Sequence, residues 1–312
     1  MLKTIIVLLI AVIPAVIWLY LFLAKHKLSK WMVAYVFVGG MIAAKLILVY
    51  QGYWDQTINL IFFKVSLVDF RSNIESLIVN TLLSTFVIFL GVGVMEEFAK
   101  FWIMKLISKR HFKSIDDVIE FAIIAALGFA FFENIVYFGQ NWGNLSTGNF
   151  FAFALMRVTI VTMVHMLCSG ILGYYYGMAF FASPMLKIQY MKKHTHPVLR
   201  FFKKIFGTKQ SQLYYEQMFV TGLLLSMLVH AMYDFLLTIK FSLFGLPMLV
   251  PIMFLYFFGG FWYLNRLFRK KDLNLKLGLV GTNIMPEEDF VKLIDEIHAI
   301  KEKMETETNN SN

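Results

Sequence analysis

Cysteine is almost missing from the chain: Cys168 is the only one in 312 residues. That excludes an intramolecular disulfide framework and a zinc site built from cysteines. Charge is scarce too, at 16% of residues, where soluble domains carry about a quarter. Two familiar hydrolase signatures are also missing, the zincin HExxH and the nucleophile elbow GxSxG. GVGVME (Gly91 to Glu96) resembles the start of a glycine-rich nucleotide loop but lacks the third glycine and a preceding strand. No polar stretch suggests a soluble catalytic domain, so the chemistry is expected in the membrane.

What fills the chain is apolar: 59% hydrophobic and 17% aromatic residues, with a mean hydropathy of +0.66. This composition predicts an all-α, polytopic transmembrane helical bundle. Runs long enough to span fall at about 4–24, 31–50, 77–104, 118–139, 149–182, 216–239 and 242–264. They predict about seven spans. The first run is too long for a signal-peptide core and no clear cleavage site follows it. Ile58 to Phe70 carries Lys64 and Asp69, is too short to span, and is expected to form an interfacial or loop helix, which disfavours an eighth span.

The net charge of +9 fits the positive-inside rule better than nucleic-acid binding. Connections after the odd-numbered spans hold Lys25, Lys27, Lys30, Lys105, Lys109, Arg110, Lys113, Lys187, Lys192, Lys193, Arg200, Lys203, Lys204, Lys209, Arg266, Arg269, Lys270 and Lys271. The other side has only Lys3, Lys64, Arg71 and Lys240. The amino terminus is therefore expected outside and the carboxy terminus in the cytoplasm. Within the basic connection, VLRFFKKIFG (Val198 to Gly207) is expected to lie on the anionic inner leaflet. The membrane domain is expected over 1–271. A cytoplasmic tail follows over 272–312, with a short amphipathic helix from Pro286 and a disordered end.

Against this background the polar residues inside the spans stand out. They are Lys45, Glu96, Glu97, Lys100, Glu133, Arg157, His165, His230 and Asp234. An ionised side chain at mid-bilayer costs roughly 2.5 kcal/mol or more and marks a candidate functional site. Lys100 lies at i+4 from Glu96 and i+3 from Glu97, so it can neutralise one carboxylate and leave the other free. Counting from Leu77 places the pair near the cytoplasmic face. A membrane core from about Thr85 to Ile107 would instead bring it to the depth of Glu133 and His230. Glu133 and Tyr137 share a helical face, close enough for a phenol–carboxylate hydrogen bond. Ala125, Ala126, Gly128 and Ala130 on the same helix allow close helix approach. His165 precedes a GxxxG face, Gly173 and Gly177, whose simplest role is packing. Arg157, two turns earlier, either snorkels or pairs with an acid. His230 and Asp234 share a face at i+4, where the acid can orient the imidazole.

Water activation needs a base, which a buried glutamate can become. Peptide hydrolysis also needs a metal or positioned donors to polarise the carbonyl. These residues offer either route. The same set also suits a proton- or ion-coupled transporter, although no internal repeat supports one, and a non-catalytic scaffold would keep the fold.

At these residues the sequence resembles the PrsW family of intramembrane proteases, within the wider superfamily of type II CAAX prenyl endopeptidases. The resemblance lies in EExxK (Glu96, Glu97, Lys100), FExxxY (Phe132, Glu133, Tyr137), His165 with Gly173, and HxxxD (His230, Asp234). These motifs are in order over residues 91–234. The resemblance implies an intramembrane endopeptidase of the bacterial cytoplasmic membrane that cuts a membrane-anchored protein. For this family the implied substrate is a single-pass anti-sigma factor, cut first on its outer side. It further implies a metal- or glutamate-dependent mechanism, with zinc the candidate ion. On this basis Glu96, assisted by Glu97, is expected to be the general base. His165 and His230 are expected to hold the water, a metal or the oxyanion, with Asp234 orienting His230. Lys100 and Glu133 complete the cluster, and Glu96, His165 and His230 are the candidate metal ligands. Lys100 departs from the CAAX pattern, where an arginine lies one position later. Glu133 and Tyr137 stand where that pattern has a phenylalanine-to-histidine motif.

Overall fold

The computed structural model describes residues 2–23, 28–52, 57–60, 63–66, 74–75, 78, 80–181, 210–238, 242–243, 246–247 and 249–277. The leaflet-binding piece Val198 to Gly207 and the tail helix from Pro286 lie outside the described residues. Helices dominate. α1 (Leu2–Leu23) and α2 (Lys30–Gly52) precede α3 (Thr81–Ser108), and a 3-10 turn at Lys109–His111 leads to α4 (Ile115–Asn141). α5 (Thr147–Met156) passes through a π-helical turn, Arg157–Val161, into α6 (Thr162–Phe181). α7 (Gln210–Thr238) and α8 (Leu249–Phe254) follow, and a second π turn, Leu255–Gly259, leads into α9 (Gly260–Leu277). α9 runs past Lys271, beyond the expected start of the tail.

Five helical segments among the described residues are long and apolar enough to cross a membrane: Lys30–Tyr50, Thr81–His111, Ile115–Asn141, Thr147–Phe181 and Tyr214–Thr238. Their outward surfaces leave large apolar side chains such as Leu46, Trp102 and Leu224 exposed. Water would make that costly and hydrocarbon does not.

Two connections are not helical. β1 (Thr57–Leu60) pairs antiparallel with β2 (Phe63–Ser66), placing Ile58 opposite Val65 and Leu60 opposite Phe63. This corrects the helix expected at Ile58 to Phe70 over the residues described there. Ile58 and Leu60, then Phe63 and Val65, alternate with polar residues at the two-residue period of a strand. Before α8, Ser242–Leu243 pairs with Leu246–Pro247, so the last helical run starts later than the apolar run suggested.

The start of α3 fixes how far along it the glutamates lie. The Asn80 side chain accepts from the backbone N–H groups of Leu82 and Leu83 at 3.0 and 3.1 Å, capping the helix. Thr81 rather than Leu77 therefore opens it, and Glu96 and Glu97 fall in its middle. A capping box between Ser114 and Asp117 starts α4.

α4 is the central helix: 72% of its apolar window is buried, against 22% for α3. It crosses α2 at glycines. A Cβ on Gly40 would strike the Ala125 carbonyl, and one on Gly128 would strike that of Phe37. Gly173 and Gly177 seat α6 on α4, since added Cβ atoms would come within 2.9 Å of Ala122 and Ile115. Gly93 lets α3 approach α7, where a Cβ would lie 3.0 Å from the Met227 carbonyl oxygen. Thus α3, α4, α6 and α7 converge on one polar interior.

Candidate active site

Glu97, on α3, is wholly buried and is the best-satisfied acid in the interior. Its Oε1 accepts from Lys100 Nζ at 2.6 Å and faces His230 Nδ1 at 2.8 Å. Its Oε2 accepts from Ser169 Oγ at 3.2 Å and Ser226 Oγ at 3.1 Å. Those donors come from α3, α6 and α7. A buried carboxylate is tolerable when its lone pairs are used in this way.

Glu133, on α4, forms a second centre. Its Oε2 accepts from Arg157 Nη2 at 3.0 Å and faces His165 Nε2 at 3.1 Å. Arg157 also donates Nε to Asn134 Oδ1 at 3.0 Å, and its guanidinium lies 3.9 Å over the Tyr137 ring. The π turn sets this arginine. Thr162 turns both its N–H and its hydroxyl to the Arg157 carbonyl, and the Trp18 indole donates to the Val158 carbonyl at 3.0 Å. Such turns insert one residue into a helix and recur at functional sites.

Lys100 joins the two centres. Its Nζ lies 2.8 Å from His165 Nδ1 and 4.3 Å over the Phe129 ring. An ammonium only donates, so His165 Nδ1 accepts, and its ring proton sits on Nε2, donated to Glu133. A carboxylate only accepts, so His230 donates Nδ1–H to Glu97. In a neutral His230 the Nε2 lone pair then remains. It lies 3.6 Å from Glu96 Oε2 and 3.5 Å from Asp234 Oδ2.

Glu96 Oε2 contrasts with its neighbour. It is buried with no hydrogen-bond partner among the described residues, and Lys100 Nζ is 3.7 Å away. Glu96 lines a cavity of about 460 Å³ together with Glu133, Arg157, His165, His230 and Asp234. The cavity extends past Thr85 near the start of α3, Tyr137 near the end of α4, and Thr238 at the end of α7. That is the end of the bundle opposite the basic turn Lys109–His111.

One ligand atom each from Glu96, His165 and His230 lies within 4.8 Å of the others. The orphaned Glu96 oxygen and His230 Nε2 suit a metal, the latter because its other nitrogen donates to a carboxylate. His165 does not suit one as placed, because Lys100 and Glu133 take both its nitrogens. The set supplies two donors where a catalytic zinc takes three.

The seven site residues expected from the sequence therefore meet in one cluster, with two changes of partner. Glu97 rather than Asp234 takes the His230 Nδ1 proton. Arg157, not the Tyr137 phenol, holds Glu133. Lys45, the remaining polar candidate, is exposed on α2. Ser169, Ser226 and Asn134 were missed. The first two carried a readable signal, because Ser169 lies four residues after His165 and Ser226 four before His230, on the same helical faces.

Against known proteins, the sequence pattern of the PrsW family intramembrane metalloproteases matches residues 28–197. That stretch contains Glu96, Glu97, Lys100, Glu133 and His165, while His230 and Asp234 lie beyond it. The chain is similar to "Protease PrsW" of Bacillus subtilis (strain 168), at 28% identity over 179 residues. The similar stretch covers 56% of this chain and 65% of that protein, less than two thirds of its length. No solved structure matches.

Proposed function

Since the chain belongs to the PrsW family of intramembrane metalloproteases, we propose that it is an intramembrane endopeptidase cutting a membrane-anchored protein. The observation that carries this reading is the buried, hydrogen-bond-free Glu96 oxygen at the wall of a polar cavity, beside the lone pair of His230.

Water bridges Glu96 Oε2 and His230 Nε2. Glu96 takes its proton as the hydroxide adds to the scissile carbonyl carbon, and the carbonyl oxygen becomes an oxyanion. Glu96 then returns the proton to the amide nitrogen as the C–N bond breaks, leaving an acid and an amine. Glu97 orients His230 by accepting its Nδ1 proton. Lys100 and Glu133 fix His165, and Asp234 borders the water site. A metal, where one is bound, would polarise the carbonyl, with Glu96 and His230 as its available ligands.

With the basic connections on the cytoplasmic side, as the positive-inside rule expects, the cavity mouth faces outward and the substrate enters from there. A single-pass protein of the anti-sigma-factor kind fits this geometry. The test is purified protein with a labelled single-pass substrate, with and without a chelator. Wild type should cleave equally in both arms, because Lys100 and Glu133 hold both nitrogens of His165, and Glu96→Gln should cleave in neither. Unimpaired cleavage by Glu96→Gln would sink this role for Glu96, and loss on chelation would restore the metal route.

A further inference from the structure

One helical turn from His230, Tyr233 carries a buried hydroxyl with no partner among the described residues. It is 1% exposed and lines the same cavity as Glu96. Its ring packs edge-on against Tyr256 with centroids 5.1 Å apart, and among Val161, Val164 and Cys168. Tyr256, by contrast, donates its hydroxyl to the Val229 carbonyl at 3.2 Å. A buried hydroxyl left unpaired is destabilising, and a phenylalanine would fill the same space without that cost.

The neighbouring donors already have acceptors within the protein. Arg157 serves Glu133 and Asn134, the His165 Nε2–H serves Glu133, and Lys100 serves Glu97 and His165. Ser169 and Ser226 serve Glu97. Tyr137, the other phenol in the wall, is only half-buried, where water can satisfy it. Amide hydrolysis requires a donor for the charge that develops on the carbonyl oxygen.

We propose that Tyr233 is a catalytic residue whose O–H donates to the scissile carbonyl oxygen and to the oxyanion it becomes. This rests on the proteolytic reading above. The phenol keeps its proton throughout, and the water's proton still travels through Glu96, so the balance of the reaction is unchanged.

The test is Tyr233→Phe in the full-length purified protein with the same labelled substrate. The expected result is a kcat lower by about 10²-fold, with KM within about two-fold of wild type and a thermal midpoint unchanged or raised. Tyr256→Phe should do the opposite, lowering the midpoint and sparing kcat. A Tyr233→Phe enzyme that turns over like wild type overturns the proposal. So does a loss of kcat accompanied by a lowered midpoint, the mark of a packing role. If wild type cleaves and Glu96→Gln does not, an active Tyr233→Phe sinks this inference alone. If wild type cleaves no membrane substrate, the proteolytic reading falls and takes the inference with it.

Discussion

Adjacent glutamates on one helix can have opposite relations to stability. Glu97 gathers four donors while Glu96 Oε2 has none within hydrogen-bond reach. Glu97→Gln should lower the stability of the folded protein by about 3 kcal/mol or more, since it strands Lys100 without its closest counter-charge. Glu96→Gln should leave it unchanged or raised. Thermal unfolding in detergent compares them, and equal midpoints would refute the contrast. Arg157→Met should cost about 3 kcal/mol by leaving Glu133 without its counter-charge and with the His165 N–H alone, and Arg157→Met with Glu133→Leu should recover most of it. Additive losses in the double variant would show that the two residues do not act as a pair.

Among the helices, the crossing of α2 and α4 bears the tightest geometric demand. Gly128→Ala would drive a methyl into the Phe37 carbonyl, a backbone atom with no rotamer to retreat to. It should lower stability by about 1–3 kcal/mol, whereas Gly139→Ala, with open space around it, should be neutral or favourable by up to about 1 kcal/mol. Midpoints of the two variants check this, and a tolerant Gly128→Ala would mean the helices are not so close. Helix existence and small-residue faces were legible in the sequence because period and residue size are local properties. The π turn was not, because Arg157–Val161 has no sequence mark of its own. Its Val158 carbonyl is taken by Trp18 from α1 and its Arg157 carbonyl by Thr162 at its own end, while Asn134 on α4 holds the Arg157 side chain. The same limit explains Glu133, whose helical neighbour Tyr137 was in view while its true partner lay on another helix. The strands at 57–60 and 63–66 were hidden for a different reason: four residues of alternation are too short a signal to outweigh their apolar content.

For the molecule as a whole, orientation decides which compartment supplies water and substrate. Asn144 and His111 are both exposed, at opposite ends of α4. Cys168 is buried, so it gives little background. Asn144→Cys should react with an impermeant thiol reagent added to intact cells, and His111→Cys only after the membrane is opened. The reverse pattern would place the cavity mouth in the cytoplasm and overturn outer-side entry.

The donors around Glu97 also impose an order of events on biosynthesis. Lys100 emerges with Glu97 on α3, Ser169 follows on α6, and Ser226 and His230 arrive only with α7. A nascent chain therefore carries Glu97 into the bilayer with Lys100 alone of its four donors. His230, which the proposed mechanism pairs with Glu96, enters with the last of those helices, so on that mechanism the unfinished chain is inert. Chains stopped after α6 should integrate and never cleave, and supplying α7 as a separate fragment should restore activity. An active truncated chain would show that the catalytic water needs nothing from α7.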